Sequence, residues 1–312
     1  MIRLNKFIAH YSSYSRREAD VVIEKGFVRI NGEIITNPAT QVDEVRDVVY
    51  VSGKKVAPTE KYTVIVYNKP KGELVTKTDP RERRTIYDSL DKEFKHFIPV
   101  GRLDYATEGV LLMTDASRVA TALMTSNLQR IYKVKIKGSI TPQMEEAMLN
   151  GLELEDATAG AHSKTTITSM TFAPFLGYKI DKSSHNFSTL KIALSEGQNR
   201  EIRRFFAHFG ADVADLKRVS FAEVELNNLP TGKTRYLSRS EYSALQTFLK
   251  EETKKEKEKA KPKPFADDKA KEKTKTFSND KSKEKSKDKP KSFAKDKPKS
   301  KTTTQSKGRY KK

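Results

Sequence analysis

Hydrophobic and polar residues alternate along two stretches of the chain, and a period of two predicts β-strands. In 131–137, Tyr132, Val134 and Ile136 alternate with three lysines. The stretch 189–195 shows the same alternation. Each strand should therefore bury one face and expose the other, so that the side chain of Tyr132 points toward the interior or a cleft.

Two apolar runs, 62–67 and 110–113, lack this alternation and predict buried strands. A polar loop precedes the second run, and two glycines bracket its charged residues Arg102, Asp104 and Glu108. A charged cluster at the end of a core strand is well placed to meet a ligand. The alternative is a solvated turn in which these three side chains form an ion network.

Helical spacing and capping signals predict six helices. Ser15 and Glu18 have the spacing of a capping box, in which each side chain satisfies a free backbone N–H. Thr141 precedes a proline at the first helical position, which is typical of a helix start. The apolar face of that helix should be formed by Met144, Met148 and Leu149. The predicted helices cover 1–10, 15–25, 118–124, 141–150, 201–209 and 240–250.

Two hairpin signals follow the first two predicted helices. Asn31-Gly32 is the strongest short hairpin signal, and Ser52-Gly53 follows a strand-like run. A stretch containing a proline, 57–60, then separates this part from the rest. We therefore expect an α+β protein with a small domain at 1–58 and a larger domain at 61–250.

The composition excludes several classes of protein. The chain has 312 residues and no cysteine, which excludes disulfides and thiolate metal sites. Its five histidines show no metal-ligand spacing, so no metal is expected. No apolar run is long enough to span a membrane, and the N-terminus lacks the apolar core of a signal peptide. We therefore expect a cytoplasmic protein without a membrane partner.

Basic residues are in excess along the whole chain, with 61 Lys and Arg against 41 Asp and Glu. The last 62 residues contain 24 of the basic and 11 of the acidic residues. Such a balance is expected for a partner made of phosphates. The stretch 251–312 is also nearly devoid of aliphatic residues, which predicts a disordered Lys-rich tail. This tail is either a tether to RNA or a solvated segment of little consequence.

The loop at 101–109 reads G-R-L-D-Y-A-T-E-G and resembles the catalytic motif of RNA pseudouridine synthases of the RsuA/RluB type, which modify ribosomal RNA. The resemblance covers about residues 1–250. It implies a mixed, mostly antiparallel β-sheet with flanking helices, with Asp104 as the catalytic carboxylate. Arg102 would help to flip the base or hold its phosphate. The stretch 68–72 matches the N-K-P-x-G of this family, where we expect a turn with Lys69 solvated or touching RNA.

Two further stretches match the family. R-I-Y at 130–132 implies that Tyr132 packs against the flipped base and assists proton removal; the alternative is an ordinary core tyrosine. In E-G-Q-N-R-E-I-R-R at 196–204, the resemblance implies that Arg203 pairs with the catalytic aspartate. The three arginines at this helix start also suit phosphate or carboxylate binding. The implied substrate-binding residues are Arg102, Arg200, Leu216 as an apolar wall of the base pocket, and Arg218.

Residues 1–58 resemble the S4 domain, an RNA-binding module named after a ribosomal protein. The resemblance rests on R-L-x-K, S-R-R-x-A and the glycine-containing hairpin that follows. The expected RNA-binding residues are Arg3, Lys6, Arg16 and Arg17, which would contact phosphates without reading sequence. The alternative is a structural cap with a solvated basic helix.

Together these features imply an enzyme that isomerises a specific uridine without cofactor or metal, after the uracil has left its stack. Asp104 would act as the nucleophile at C1′ or as the base that produces a glycal. The S-R-R-x-A opening, N-R-E-I-R-R at 199–204 and the long basic tail look closer to the large-subunit synthase B group, so we expect 23S rRNA as the substrate. The resemblance to the family also implies a monomer. The alternatives are 16S rRNA as the substrate, or a non-catalytic RNA-binding or ribosome-assembly factor.

Overall fold

Within the residues that the computed structural model describes, 1–59, 61–162 and 164–259, the chain forms seven α-helices and seventeen strands. The helices are α1 (Leu4–Tyr11), α2 (Arg16–Glu24), α3 (Ile86–Ser89), α4 (Ser117–Met124), α5 (Pro142–Asn150), α6 (Glu201–His208) and α7 (Arg239–Lys259). The first six strands are β1 (Ile2–Arg3), β2 (Val28–Ile30), β3 (Glu33–Ile35), β4 (Gln41–Val42), β5 (Val49–Val51) and β6 (Lys54–Val56). The later strands are β7 (Val64–Lys69), β8 (Ile98–Pro99), β9 (Glu108–Thr114), β10 (Arg130–Lys137), β11 (Leu152–Leu154), β12 (Met170–Phe172), β13 (Gly177–Lys182), β14 (Phe187–Leu194), β15 (Val213–Phe221), β16 (Val224–Glu225) and β17 (Thr234–Tyr236).

The N-terminal part packs two helices against a four-stranded antiparallel sheet of order β3-β2-β5-β6. The predicted capping box is confirmed, since the Ser15 hydroxyl accepts a hydrogen bond from the Glu18 backbone N–H and the Glu18 carboxylate accepts one from that of Ser15. Asn31 and Gly32 both have positive φ, as the hairpin turn requires. Both predicted hairpins are present.

The larger part is built on a mixed sheet, which has nine strands within the described residues, with the order β13-β14-β10-β15-β9-β7-β17 and two short strands beside this path. All neighbouring strands are antiparallel except β15 and β9. The predicted α+β fold with a mostly antiparallel sheet and flanking helices is therefore confirmed.

The parallel pairing of β9 with β15 involves only two residues on each strand. Glu108 is opposite Lys217, and Gly109 is opposite Arg218. Gly109 has φ +108°, and a Cβ atom on it would lie 2.1 Å from the backbone oxygen of Arg218. Only glycine lets the two backbones approach this closely. The Asp104 loop leads directly into this junction.

Three apolar clusters surround the large sheet. The buried face of β10, β14 and β15 packs on α5 and α6, and Tyr132 lies in this cluster with only 7% of its surface exposed. The strands β7 and β9 are covered on both faces, by α4 and α7 on one and by α3 on the other. The alternation predicted for 131–137 and 189–195 is confirmed, since apolar and lysine side chains point to opposite faces.

Some predicted details are wrong. Leu149 is 62% exposed, and Ala147 is buried instead, because residue 149 lies about 100° around the helix from residue 148. The strand β7 continues through Lys69, where we expected a turn. The helix α7 ends at Lys259, beyond the expected residue 250, and the rest of the predicted tail lies outside the described residues. Among the described helices, none is both long and apolar enough to cross a membrane.

Candidate active site

The Asp104 carboxylate lies between two guanidinium groups from the start of α6. Its Oδ2 is 3.3 Å from Nη1 of Arg200 and 3.6 Å from Nε of Arg203. The side chain remains 31% exposed, so a ligand can reach it. The alternative ion network within the loop is not present, because Glu108 lies 3.8 Å from Lys217 instead.

The backbone at the start of α6 positions both arginines. Arg200 has φ +53°, and its Nε donates to the backbone oxygen of Gly160. Arg203 donates to the backbone oxygens of Val213 and Ala106, both at 3.1 Å. Burial lowers the pKa of Arg203, and the charge of Arg200 lowers it further, while Asp104 raises it. The two cations are thus fixed by backbone acceptors on separate segments, with Asp104 as their shared counter-ion.

Arg204, the third arginine of this helix start, points away from Asp104. It is fully buried, and its guanidinium donates to the backbone oxygens of Ala157 and Ile167 and to the Thr165 hydroxyl. The expectation that all three arginines serve anion binding is therefore wrong for Arg204. Its guanidinium instead holds the irregular segment between β11 and β12 against α6.

Lys69 is a residue of the site that the sequence did not reveal. Its side chain is fully buried, and Nζ donates to the backbone oxygens of Pro70, Asp104 and Thr107 at 2.9, 3.2 and 3.0 Å. Burial lowers its pKa to about 8, against the opposing charges of Glu73, Asp104 and Glu108. The prediction of a solvated or RNA-contacting lysine is wrong, because Lys69 is the last residue of a buried strand and not part of a turn.

The signal that could have identified the burial of Lys69 is the unbroken apolar run before it. All six residues of β7 are buried, so a residue that continues this strand is buried whichever face it points to. The backbone N–H of Gly72 also donates to the oxygen of Tyr105 at 2.8 Å. The segment 68–72 is therefore attached to the Asp104 loop at several points.

Tyr132 and Leu216 lie on adjacent strands in the same apolar cluster. Arg218 faces Tyr132 across the β10–β15 pair and is 4% exposed. Its Nε donates to the Val110 oxygen at 2.7 Å, which ties β15 to β9. Its Nη2 has no hydrogen-bond partner within the described residues. Among the residues that the structure describes, no hydrogen bond joins the Tyr132 hydroxyl to Asp104.

The remaining predicted residues lie nearer the surface. Arg102 is exposed in the loop before β9. Arg3, Arg16 and Arg17 are exposed on the N-terminal part, whereas Lys6 is half-buried. This part contacts the larger domain through α1 and α4, where the Ser117 hydroxyl donates to the Ala9 backbone oxygen at 2.7 Å.

Residues 63–208 match the family described as RNA pseudouridylate synthase, and residues 2–56 match the S4 domain family. Two Helicobacter pylori proteins named as uncharacterized RNA pseudouridine synthases are 51% identical over 250 residues, which cover 80% of this chain and 95% of theirs. This chain belongs to the RNA pseudouridine synthase family. The enzyme is also 32% identical over 251 residues to the ribosomal large subunit pseudouridine synthase B of Bacillus subtilis, covering 80% of this chain and 97% of that one.

A solved structure supports the same assignment. A crystal structure described as a pseudouridylate synthase superposes with a TM-score of 0.52 at 25% identity, over 78% of this chain and 100% of that one. The enzyme is thus an isomerase that acts on RNA and carries an S4 domain at its N-terminus. The predicted relation to the RsuA/RluB type is confirmed.

Proposed function

We propose that this pseudouridine synthase isomerises one specific uridine of 23S rRNA, with Asp104 as the catalytic carboxylate acting on a flipped base. The observation that carries the proposal is the clamp around Asp104. Two guanidiniums hold its carboxylate, Lys69 holds its backbone oxygen, and the side chain still reaches solvent. A carboxylate fixed by opposite charges beside an opening is arranged for chemistry at a bound ligand.

The reaction needs no external atom. The N1–C1′ bond breaks, the uracil turns, and a C5–C1′ bond forms while C5 loses a proton and N1 gains one. Asp104 acts at the sugar, either as the nucleophile at C1′ or as the base that yields a glycal. Arg203 and Arg200 keep its carboxylate in place. Tyr132 assists removal of the C5 proton.

The flipped base needs a pocket and a substitute for its lost stacking partners. In this proposal Tyr132 and Leu216 form the apolar walls. The buried Nη2 of Arg218, which lacks a partner among the described residues, supplies a donor for a uracil oxygen. Arg102 is exposed on the loop before β9, where it can enter the stack or hold a phosphate. Arg3, Lys6, Arg16 and Arg17 contact phosphates further along the RNA.

The choice of 23S over 16S rRNA is supported by the Bacillus subtilis relative, which is named for the large ribosomal subunit. We place the enzyme in the cytoplasm as a monomer, with domains at 1–58 and 61–250. Mapping of pseudouridine in both rRNAs, from cells with and without the gene, tests the substrate. Loss of one site in 23S rRNA is expected. Loss of a site in 16S rRNA would support the reaction but would show that 23S rRNA is not the substrate.

The variant Asp104→Asn tests the catalytic residue. It should abolish pseudouridine formation in cells that lack the wild-type gene, while the purified protein still binds rRNA, because the amide keeps the shape of the carboxylate. Asp91→Asn, at an exposed position, is the matched control and should restore the modification. If Asp104→Asn still forms pseudouridine, the assignment of Asp104 is wrong. If deletion of the gene removes no pseudouridine at all, a non-catalytic role is favoured.

A further inference from the structure

Four lysines lie directly opposite one another on four adjacent strands. Lys179 pairs with Lys191 between β13 and β14, Lys191 with Lys133 between β14 and β10, and Lys133 with Lys217 between β10 and β15. Residues opposite each other in an antiparallel pair project from the same face. These residues, the lysine row, cross the sheet over about 14 Å, given a spacing of about 4.8 Å between strands.

The lysine row lies on the face opposite to Tyr132. Lys133 follows Tyr132 along β10, and side chains alternate between the two faces of a strand. Lys133, Lys179 and Lys191 are exposed, and Lys217 is half-buried. Two more lysines lie on the same face, one step further along the strands. Lys135 on β10 and Lys182 on β13 both pair with Thr189 on β14. The helices α5 and α6 pack on the opposite, apolar face, and the three exposed lysines leave this face open to a partner.

Few acidic groups compensate this charge. Lys217 lies 3.8 Å from Glu108. Asp215, which is opposite Lys135, forms its ion pair with Lys71 at 2.6 Å. Within the described residues, Lys133, Lys179 and Lys191 form no ion pair. The positive charge of the row is therefore largely available to a partner.

Protection of a sheet edge does not explain the lysine row. Lysines on edge strands prevent pairing with other chains, but β14, β10 and β15 are interior strands of this sheet. Like charges directly opposite each other destabilise a sheet. Three such pairs are present, two of them between interior strands, and a polyanion bound along the row would relieve their repulsion.

We infer that the lysine row binds the phosphodiester backbone of the RNA substrate, outside the pocket that receives the target uridine. This inference rests on the proposed function only for its choice of an rRNA partner. Lysine ammonium groups contact phosphates as point charges and read no sequence. The row ends at Lys217, which lies 3.8 Å from Glu108 at the start of β9, and the Asp104 loop leads into that strand, so RNA bound along the row runs toward this loop. The lysine row therefore adds affinity for the RNA and takes no part in the reaction at Asp104.

The test is a double variant of the full-length protein, Lys133→Gln with Lys191→Gln. Its dissociation constant for a protein-free rRNA fragment should rise about tenfold near 0.15 M salt, and the slope of log affinity against log salt should fall in magnitude by about 1.5. Pseudouridine formation at saturating RNA should be unchanged, because the row lies opposite to Tyr132. The matched control, Lys92→Gln with Lys95→Gln, also removes two exposed lysines and should keep the wild-type slope.

A melting measurement without RNA separates charge repulsion from misfolding. The Lys133→Gln, Lys191→Gln variant should melt about 2–4 °C above wild type, since two opposed charges are gone. An unchanged salt slope overturns the inference, even where the wild-type enzyme modifies rRNA. The variant could instead bind ribosomal particles more weakly than wild type while it keeps full affinity for naked RNA. That result would assign the lysine row to an acidic protein partner and would also overturn the inference. RNA binding is measured independently of pseudouridine formation. Failure of the proposed function can therefore be told apart from failure of the inference about the lysine row.

Discussion

The ammonium group of Lys69 donates to three backbone oxygens, and two of them, those of Asp104 and Thr107, belong to the Asp104 loop. A protonated lysine has three donor hydrogens, whereas a neutral amine has two. Loss of the proton therefore leaves one buried acceptor without its donor. The position of the Asp104 backbone is thus coupled to the charge of a residue that does not itself contact the carboxylate.

Because burial lowers the pKa of Lys69 to about 8, kcat/KM for pseudouridine formation should fall as the pH rises above 8. Lys69→Met should be about tenfold less active at pH 7 and should lack this alkaline decrease, since it has no proton to lose. Rates on one RNA fragment from pH 6.5 to 9.5 test this. An identical decrease in the variant contradicts a positioning role.

The charge of Lys69 also affects stability. The unfolded chain keeps this proton up to about pH 10.5, whereas the folded protein releases it near pH 8. The unfolded state binds more protons between these values, so the contribution of Lys69 to the free energy of unfolding rises across this window. The cost of burying the charged form is fully present below pH 8.

At the scale of elements, the contact between β9 and β15 is decided by one glycine. Gly109→Ala places a Cβ atom 2.1 Å from the backbone oxygen of Arg218, and no side-chain rotation can relieve that contact. The free energy of unfolding should fall by about 3 kcal/mol or more. Denaturant unfolding measures this loss, and pseudouridine formation should fall with it because the Asp104 loop leads into β9.

Gly138→Ala is the matched control for Gly109→Ala. Gly138 has φ +88°, but no atom lies within 4 Å of the Cβ that would be added. This variant should lose only about 1–2 kcal/mol, the cost of the backbone conformation. Equal losses in the two variants would mean that conformation, and not the close approach of β9 to β15, makes glycine necessary at residue 109.

At the scale of the whole molecule, the S4 domain contacts the larger domain around His10. Burial is the main cause that lowers the pKa of His10 to about 4, and the charges of Lys6 on α1, Arg16 on α2 and Arg118 on α4 contribute to the same decrease. Its Nε2 has no hydrogen-bond partner within the described residues. A proton on His10 would add a fourth positive charge at the contact between the two domains.

Acid should therefore destabilise the protein through His10. Between pH 6.5 and 4 the unfolded chain binds a proton at this residue that the folded protein does not, so the free energy of unfolding falls as the pH falls. The melting temperature of His10→Gln should decrease less than that of wild type from pH 7 to pH 4.5. His96→Gln, at an exposed position, is the control and should follow wild type. Parallel curves for all three proteins would contradict this role.

The sequence by itself determined the features that depend on neighbours along the chain. The Ser15–Glu18 capping box, the Asn31-Gly32 hairpin and the alternation around Tyr132 each follow from local backbone geometry, and all three are present. The motifs around Asp104 were sufficient to indicate the family, because they are short and contiguous. The roles assigned to Asp104, Tyr132 and Arg203 stay predictions until the variants are measured.

The tertiary structure alone decided which charged side chains are buried and which lie together. Lys69 and Arg204 are buried because distant segments bring backbone oxygens to them, and no local pattern encodes that. The lysine row depends on the register of four strands, of which β13 and β15 lie more than 30 residues apart in the chain. Register is set by packing of the opposite, apolar face, so the arrangement of the lysines follows from contacts that the sequence does not display.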